Sequence, residues 1–167
     1  MRIIKNILLP TDFSSFSFAG LEYVELLSSL FEVNVFLLYI MNESTAAPRA
    51  HQKAVHSETT ECEAMAKARE ELQRFIAERM ENISHVIPIV RKGEPWKEIV
   101  RCGRDEKIDL IVMATHGRAG LSHLLMGSVA EKVVQHSSVP VLTVKPMEMR
   151  GTLLDEEDIE EQLHIGG

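Results

Sequence analysis

At 167 residues the chain suits one ordinary domain and is short for two, and its 45% apolar, 5% aromatic composition fits an aliphatic core. The net charge is −7 at pH 7, but residues 147–167 hold seven acids against one base, so all but one of those charges sit in the last segment. A near-neutral body with an acidic tail lacks the basic face that nonspecific nucleic-acid binding requires, and no apolar run approaches the roughly 20 residues that span a bilayer, so neither nucleic acid nor membrane is expected as a partner.

The opening MRIIKNILLP has too short an apolar run and no small-residue cleavage site for a signal peptide, so residues 3–9 are expected to form a first strand that Pro10 ends. Thr11, Asp12 and Ser14 then offer caps for a helix whose apolar positions Phe16, Ala19, Tyr23, Leu26 and Leu30 recur every three or four residues. Asp12 falls at the carboxyl end of a strand, where open parallel sheets bind ligands. Its carboxylate either caps the helix or accepts hydrogen bonds from a ribose hydroxyl or an adenine amine.

Residues 33–40 (VNVFLLYI) read as a second strand, rich in β-branched and aromatic side chains. Residues 41–57 are small, polar and irregular, and His51 and His56 match no metal-ligand spacing. A long helix over 58–81 places Met65, Ala68, Leu72, Phe75 and Met80 on one face. Residues 85–90 form a third strand, Gly93 a turn, and Pro95 the first residue of a helix to about 104, with Trp96 read as a packing anchor. Cys62 and Cys102 lie within predicted helices without C-x-x-C spacing, so neither a disulfide framework nor a zinc site is expected, and a reducing cytoplasm is the expected compartment.

The most informative stretch is DLIVMATHGRAGLSHLLMGSVAEKVVQHSSVPVLTV, residues 109–144. The apolar run 110–114 is bounded by Asp109 and Gly117 and reads as a strand buried on both faces. Gly127 and Ser128 open a helix carrying Val129, Val133 and Val134, and residues 141–144 after Pro140 make a fifth strand. A helix start exposes unpaired N–H groups and the positive end of the helix dipole, and glycines let a phosphate approach. Gly117, Gly127 and Ser128 are therefore candidate phosphate ligands; equally, Gly117 can be a turn and Ser128 a cap. Arg118 is the cation nearest a polyphosphate, or simply solvated. Neither G-x-G-x-x-G nor G-x-x-x-x-G-K-[ST] is present. MGSVAE lacks the nucleophile elbow of a serine hydrolase, and His116 and His123 stand in no recognised catalytic arrangement.

Ala114, two residues, Gly117, nine residues, Gly127-Ser128 resembles the ATP-binding motif of the universal stress protein family, glycine, two residues, glycine, nine residues, glycine, serine or threonine, with Ala114 in place of the first glycine. The opening PTDFS (Pro10, Thr11, Asp12), the flanking SVAEKVV and the closing PVLTVKP resemble the family too, and the likeness covers residues 3–146. It implies an α/β fold, a single open five-stranded parallel sheet in the order 3-2-1-4-5 flanked by helices, adenine-nucleotide alpha-hydrolase-like. It also implies a stress-protein domain over 1–146 with an acidic tail at 147–167.

The resemblance further implies that Asp12 and Ile40 meet the nucleoside, and that Gly117, Gly127, Ser128 and Val129 meet the phosphates of ATP, or of ADP or AMP, with Mg²⁺ held through phosphate oxygens and water. The expected function is a nucleotide-dependent regulator with at most slow ATP hydrolysis. The alternative is a dimeric interaction module without nucleotide. The last strand, Val141–Val144, is the expected homodimer edge, because an unpaired apolar edge invites pairing.

Overall fold

The computed structural model describes residues 3–42, 58–117 and 126–146. Five strands, β1 (Asn6–Thr11), β2 (Asn34–Met41), β3 (Val86–Lys92), β4 (Leu110–Ala114) and β5 (Val141–Val144), alternate with helices α1 (Leu21–Leu30), α2 (Glu58–Arg79), α3 (Pro95–Asp105) and α4 (Ser128–His136). Every strand pairing is parallel, and the sheet runs β3-β2-β1-β4-β5, the order expected from the sequence.

The period-two pleat explains why the strands read as continuous apolar runs. Ile7, Leu9, Val35, Leu37, Val112 and Val144 face one cluster with Val24 of α1 and Leu72 of α2. Leu8, Phe36, Leu38, Ile111 and Met113 face the other, with Ile99 and Cys102 of α3 and Ala130 and Val133 of α4. Leu37 is fully buried, so its truncation to alanine costs about 2–5 kcal/mol.

Two local expectations are corrected. Pro10 does not end the first strand, which begins at Asn6 and runs through Thr11. The β1–β4 register covers only Ile7 and Leu8, whereas β1–β2 continues to Thr11, so the residue without an N–H sits where only one neighbour is paired. The first helix opens as a 3-10 segment, Phe16–Gly20, and then turns a different face inward: Val24 is buried with Leu21 and Leu27 beside it, while Tyr23, Leu26 and Leu30 are exposed. A 3-10 turn advances the phase by three residues rather than 3.6. Gly20 also fixes that phase by close approach, since a Cβ there would lie 3.1 Å from Val112 and 3.2 Å from Leu9.

The remaining elements fall within about two residues of expectation. Gly93 turns between β3 and α3 at φ 145, and Pro95 takes the first turn of α3. The segment 43–57, the histidines at 51, 56 and 123, Arg118 and the tail 147–167 lie outside the described residues. Among the described residues no helix is long and apolar enough to cross a membrane.

Candidate functional site

β1 and β4 are neighbours, yet the chain leaves β1 toward β2 and returns to β4 only after β3. Helices α1 and α2 cover one face and α3 and α4 the other, so the carboxyl ends of β1 and β4 meet where the strand order reverses, the place at which open parallel sheets form their ligand crevice. Asp12 follows β1 directly and residues 115–117 follow β4, so the topology brings together two motifs about a hundred residues apart.

Asp12 is held by its own turn. Its Oδ1 accepts hydrogen bonds from the Ser14 amide at 2.9 Å and the Ser14 hydroxyl at 2.6 Å. The buried Thr11 Oγ1 accepts from the Phe13 amide at 3.0 Å and pairs with Ser17 Oγ at 3.0 Å. Between them Phe13 takes φ 61, a conformation that costs a bulky residue about 1–3 kcal/mol. The expected helix cap does not form: Ser15 and Gly20 stand at the N-caps of the 3-10 segment and α1 without a side-chain cap hydrogen bond, and Thr11, Asp12 and Ser14 instead make a turn network ahead of them that leaves the Asp12 carboxylate facing Gly117. A Cβ built on Gly117 would stand 2.7 Å from Asp12 Oδ2.

On the β4 side, Ala114 is buried and in register with Val144. Thr115 continues the path: its amide donates to Val144 O at 2.9 Å and its carbonyl accepts from the Gly127 amide at 2.8 Å. Its hydroxyl lies 2.9 Å from His116 Nδ1, and both side chains are buried.

The Gly127 contact determines where α4 begins. Gly127 is the extended N-cap, φ −71 and ψ 151, and the first helical bond runs from the Glu131 amide to its carbonyl at 3.0 Å. A Cβ on Gly127 would press to 3.0 Å from Thr115 O, so only glycine brings the helix start this close to β4. Its own amide is spent on Thr115, and Gly127 therefore acts as a spacer rather than as a bare donor. A glycine cap brings no side chain to the helix entrance, which leaves the amides of Ser128 and Val129 at the positive end of the dipole.

The other sequence candidates take different places. Pro10 is buried inside β1 as a structural residue. Ile40, near the end of β2, and Val129 are half-buried and pack on the same core cluster as Met126. Ser128 is exposed. Trp96 packs against the second core cluster, its ring 4.8 Å from that of His136, as a packing anchor would. The strained turn at Phe13 and the Thr115 carbonyl are the parts that sequence reasoning missed, since neither a phenylalanine nor a backbone oxygen announces itself in a motif. Among the described residues no group of three His, Cys, Asp or Glu side chains is placed to hold a metal ion.

The arrangement combines a carboxylate, an unencumbered backbone at Gly117 and an uncapped helix start, a set of groups suited to a polar ligand with an anionic end. The profile of the Universal stress protein family matches residues 4–145. Universal stress protein MJ0577 of Methanocaldococcus jannaschii is 33% identical over 153 residues, covering 84% of this chain and 94% of that one. Its solved structure superimposes with a TM-score of 0.62, covering 86% of this chain and 97% of that chain. The crystal structure of the hypothetical protein PH0823 is similar at 29% identity and TM-score 0.68, covering 87% and 98%. A universal stress protein in complex with cAMP shares the fold at 18% identity and TM-score 0.60, covering 87% and 99%. The chain belongs to the universal stress protein family.

Proposed function

We propose that this universal stress protein is a regulator that binds an adenine nucleotide, ATP with ADP or AMP as alternatives, at the crevice between β1 and β4. The observation that carries the reading is the approach of Asp12 to Gly117 directly beside the glycine-capped start of α4. Asp12 accepts hydrogen bonds from the nucleoside, Ile40 offers an apolar surface to the base, and Ser128 and Val129 amides receive phosphate oxygens. Gly117 leaves room for the Asp12 carboxylate that meets the nucleoside, Gly127 sets the distance, and Arg118 adds positive charge. A described family relative in complex with cAMP supports the ligand class.

Magnesium, when bound, neutralises phosphate charge. Phosphate oxygens and water supply most of its ligands, as is usual for this ion. His116, the nearest described imidazole, is buried and engaged with Thr115, which leaves it poorly placed to activate water, and turnover is expected to be slow at most. The domain is taken as residues 1–146, with the acidic tail outside it, and two free cysteines suit the cytoplasm.

The assembly proposed is a homodimer through β5. The sheet has two edges, and β3 carries Pro88, Arg91 and Lys92, devices that discourage edge pairing. The other edge, Val141–Val144, holds only apolar residues and one threonine. A second reading, a dimeric module without nucleotide, draws on the buried Ala114 methyl at the β4 terminus. Mass spectrometry of small molecules released from the purified protein separates the two. A stoichiometric adenine nucleotide supports the first, and an empty protein that gains no thermal stability from millimolar MgATP supports the second.

A further inference from the structure

Two non-glycine residues among those described have positive φ, Phe13 at 61 and Lys107 at 52. Lys107 follows the end of α3, where a left-handed residue is a common way for a helix to stop. Phe13 has no such excuse. It follows a strand, it is bulky, and a glycine would adopt the same backbone without strain.

Phenylalanine brings what glycine lacks, a side chain that can be anchored. The Phe13 ring packs on the first core cluster and lies 4.7 Å from the Tyr39 ring. Tyr39 is itself the register partner of Thr11 in the sheet. The turn is therefore pinned at the ring by Tyr39, at the Phe13 amide by Thr11 Oγ1, and one residue on by the Ser14 amide on Asp12 Oδ1. Asp12 lies between these pins, its Oδ2 directed at Gly117.

We propose that Phe13 is a positioning residue: its anchored left-handed turn fixes the direction of the Asp12 carboxylate across the crevice toward Gly117, and so sets the affinity for the nucleoside. This rests on the nucleotide reading given above. Strain kept at a ligand clamp and offset by surrounding contacts is the pattern such sites show. Relaxing the turn lets Asp12 sample other orientations, and the cost of reordering it falls on binding rather than on folding.

The test is a double-mutant cycle on the full chain, with MgATP titrated calorimetrically into wild type, Asp12→Ala, Phe13→Gly and the double variant. Phe13→Tyr, which keeps the ring, is measured beside them, and urea unfolding checks each fold. Phe13→Gly weakens binding, Phe13→Tyr recovers most of the loss, and Asp12→Ala costs roughly tenfold less in the Phe13→Gly background than in wild type. Should Phe13→Gly not fold, Phe13→Leu takes its place in the cycle. Additive losses, or a ring-less variant that binds as tightly as wild type, overturn the role of Phe13 while leaving the nucleotide site standing. Absence of binding by wild type brings down the nucleotide reading itself, and the role of Phe13 with it.

Discussion

Asp12 and Gly117, 105 positions apart in the chain, are so close that a methyl group on Gly117 would lie 2.7 Å from the Asp12 carboxylate. Contact this short exists because β1 and β4 are adjacent in the sheet and both end beneath the same crevice. Gly117→Ala forces Asp12 off the orientation held by Ser14. Nucleotide affinity falls by about tenfold or more, corresponding to about 1.4 kcal/mol, while the urea midpoint moves little because no core residue is disturbed. Calorimetric titration beside urea unfolding checks both halves of the prediction.

Gly127→Ala behaves differently. The added Cβ meets a backbone oxygen, Thr115 O at 3.0 Å, which cannot swing aside as a side chain does. The helix start must move and the Gly127–Thr115 hydrogen bond lengthen, so stability falls by about 1–3 kcal/mol and nucleotide affinity falls with it. Urea unfolding that matches wild type would show that α4 is not docked through this contact.

How far the sequence announced these features depends on what carries them. The five strands were legible because their apolar runs are short and bounded by turn residues, and β4 and β5 fall at the expected residues. The inward face of α1 was not, because two apolar sets fit helical spacing equally and the choice between Val24 and Leu26 is made by the approach of Gly20 to Val112. Gly117 and Gly127 stood out through a spacing, yet their roles differ, one leaving space beside a carboxylate and the other seating a helix. Phe13 gave no signal, since nothing about phenylalanine predicts a positive φ.

The two thiols should react at very different rates. Cys62 is exposed and Cys102 is buried on the inner face of α3, where desolvation pushes its pKa up to about 11 from 9.0. A thiol reagent at neutral pH labels one cysteine per folded chain, Cys62, and the second only in denaturant. The sign of the associated pH effect follows: the unfolded chain ionises this thiol first, so its contribution is intact below about pH 9 and is lost as pH rises toward 11. Cys102→Ala flattens that alkaline decline in urea midpoints; a decline identical to wild type would remove the assignment.

At the acidic end, the hydrogen bond from Arg91 to Asp105, 3.0 Å long, holds the Asp105 carboxyl below its usual range. A depressed carboxyl pKa stabilises the fold above the ordinary carboxylate range and is lost as pH falls through the folded value. Asp105→Asn therefore narrows the gap between neutral and acidic stability. Urea midpoints measured down the acid limb test it, and an unchanged slope would contradict it.

The position of β5 at the end of the described sheet makes an assembly prediction. Sedimentation at micromolar concentration gives a dimer for wild type and a monomer for Thr143→Lys, which places a charge on that edge. A wild-type monomer would dismiss pairing through β5, and a dimer undisturbed by the lysine would move the interface elsewhere.

In the proposed complex a nucleotide's anionic end is received by the amides opening α4 while its sugar lies near Asp12. Amide chemical shifts recorded during titration with MgATP test it most directly. Saturable shifts are expected at Gly117, Ser128 and Val129 together with Asp12, while β3 and α2 stay still, and the response is lost in Gly117→Ala. A spectrum unmoved by millimolar MgATP, or shifts confined to surfaces away from the β1–β4 crevice, would contradict it.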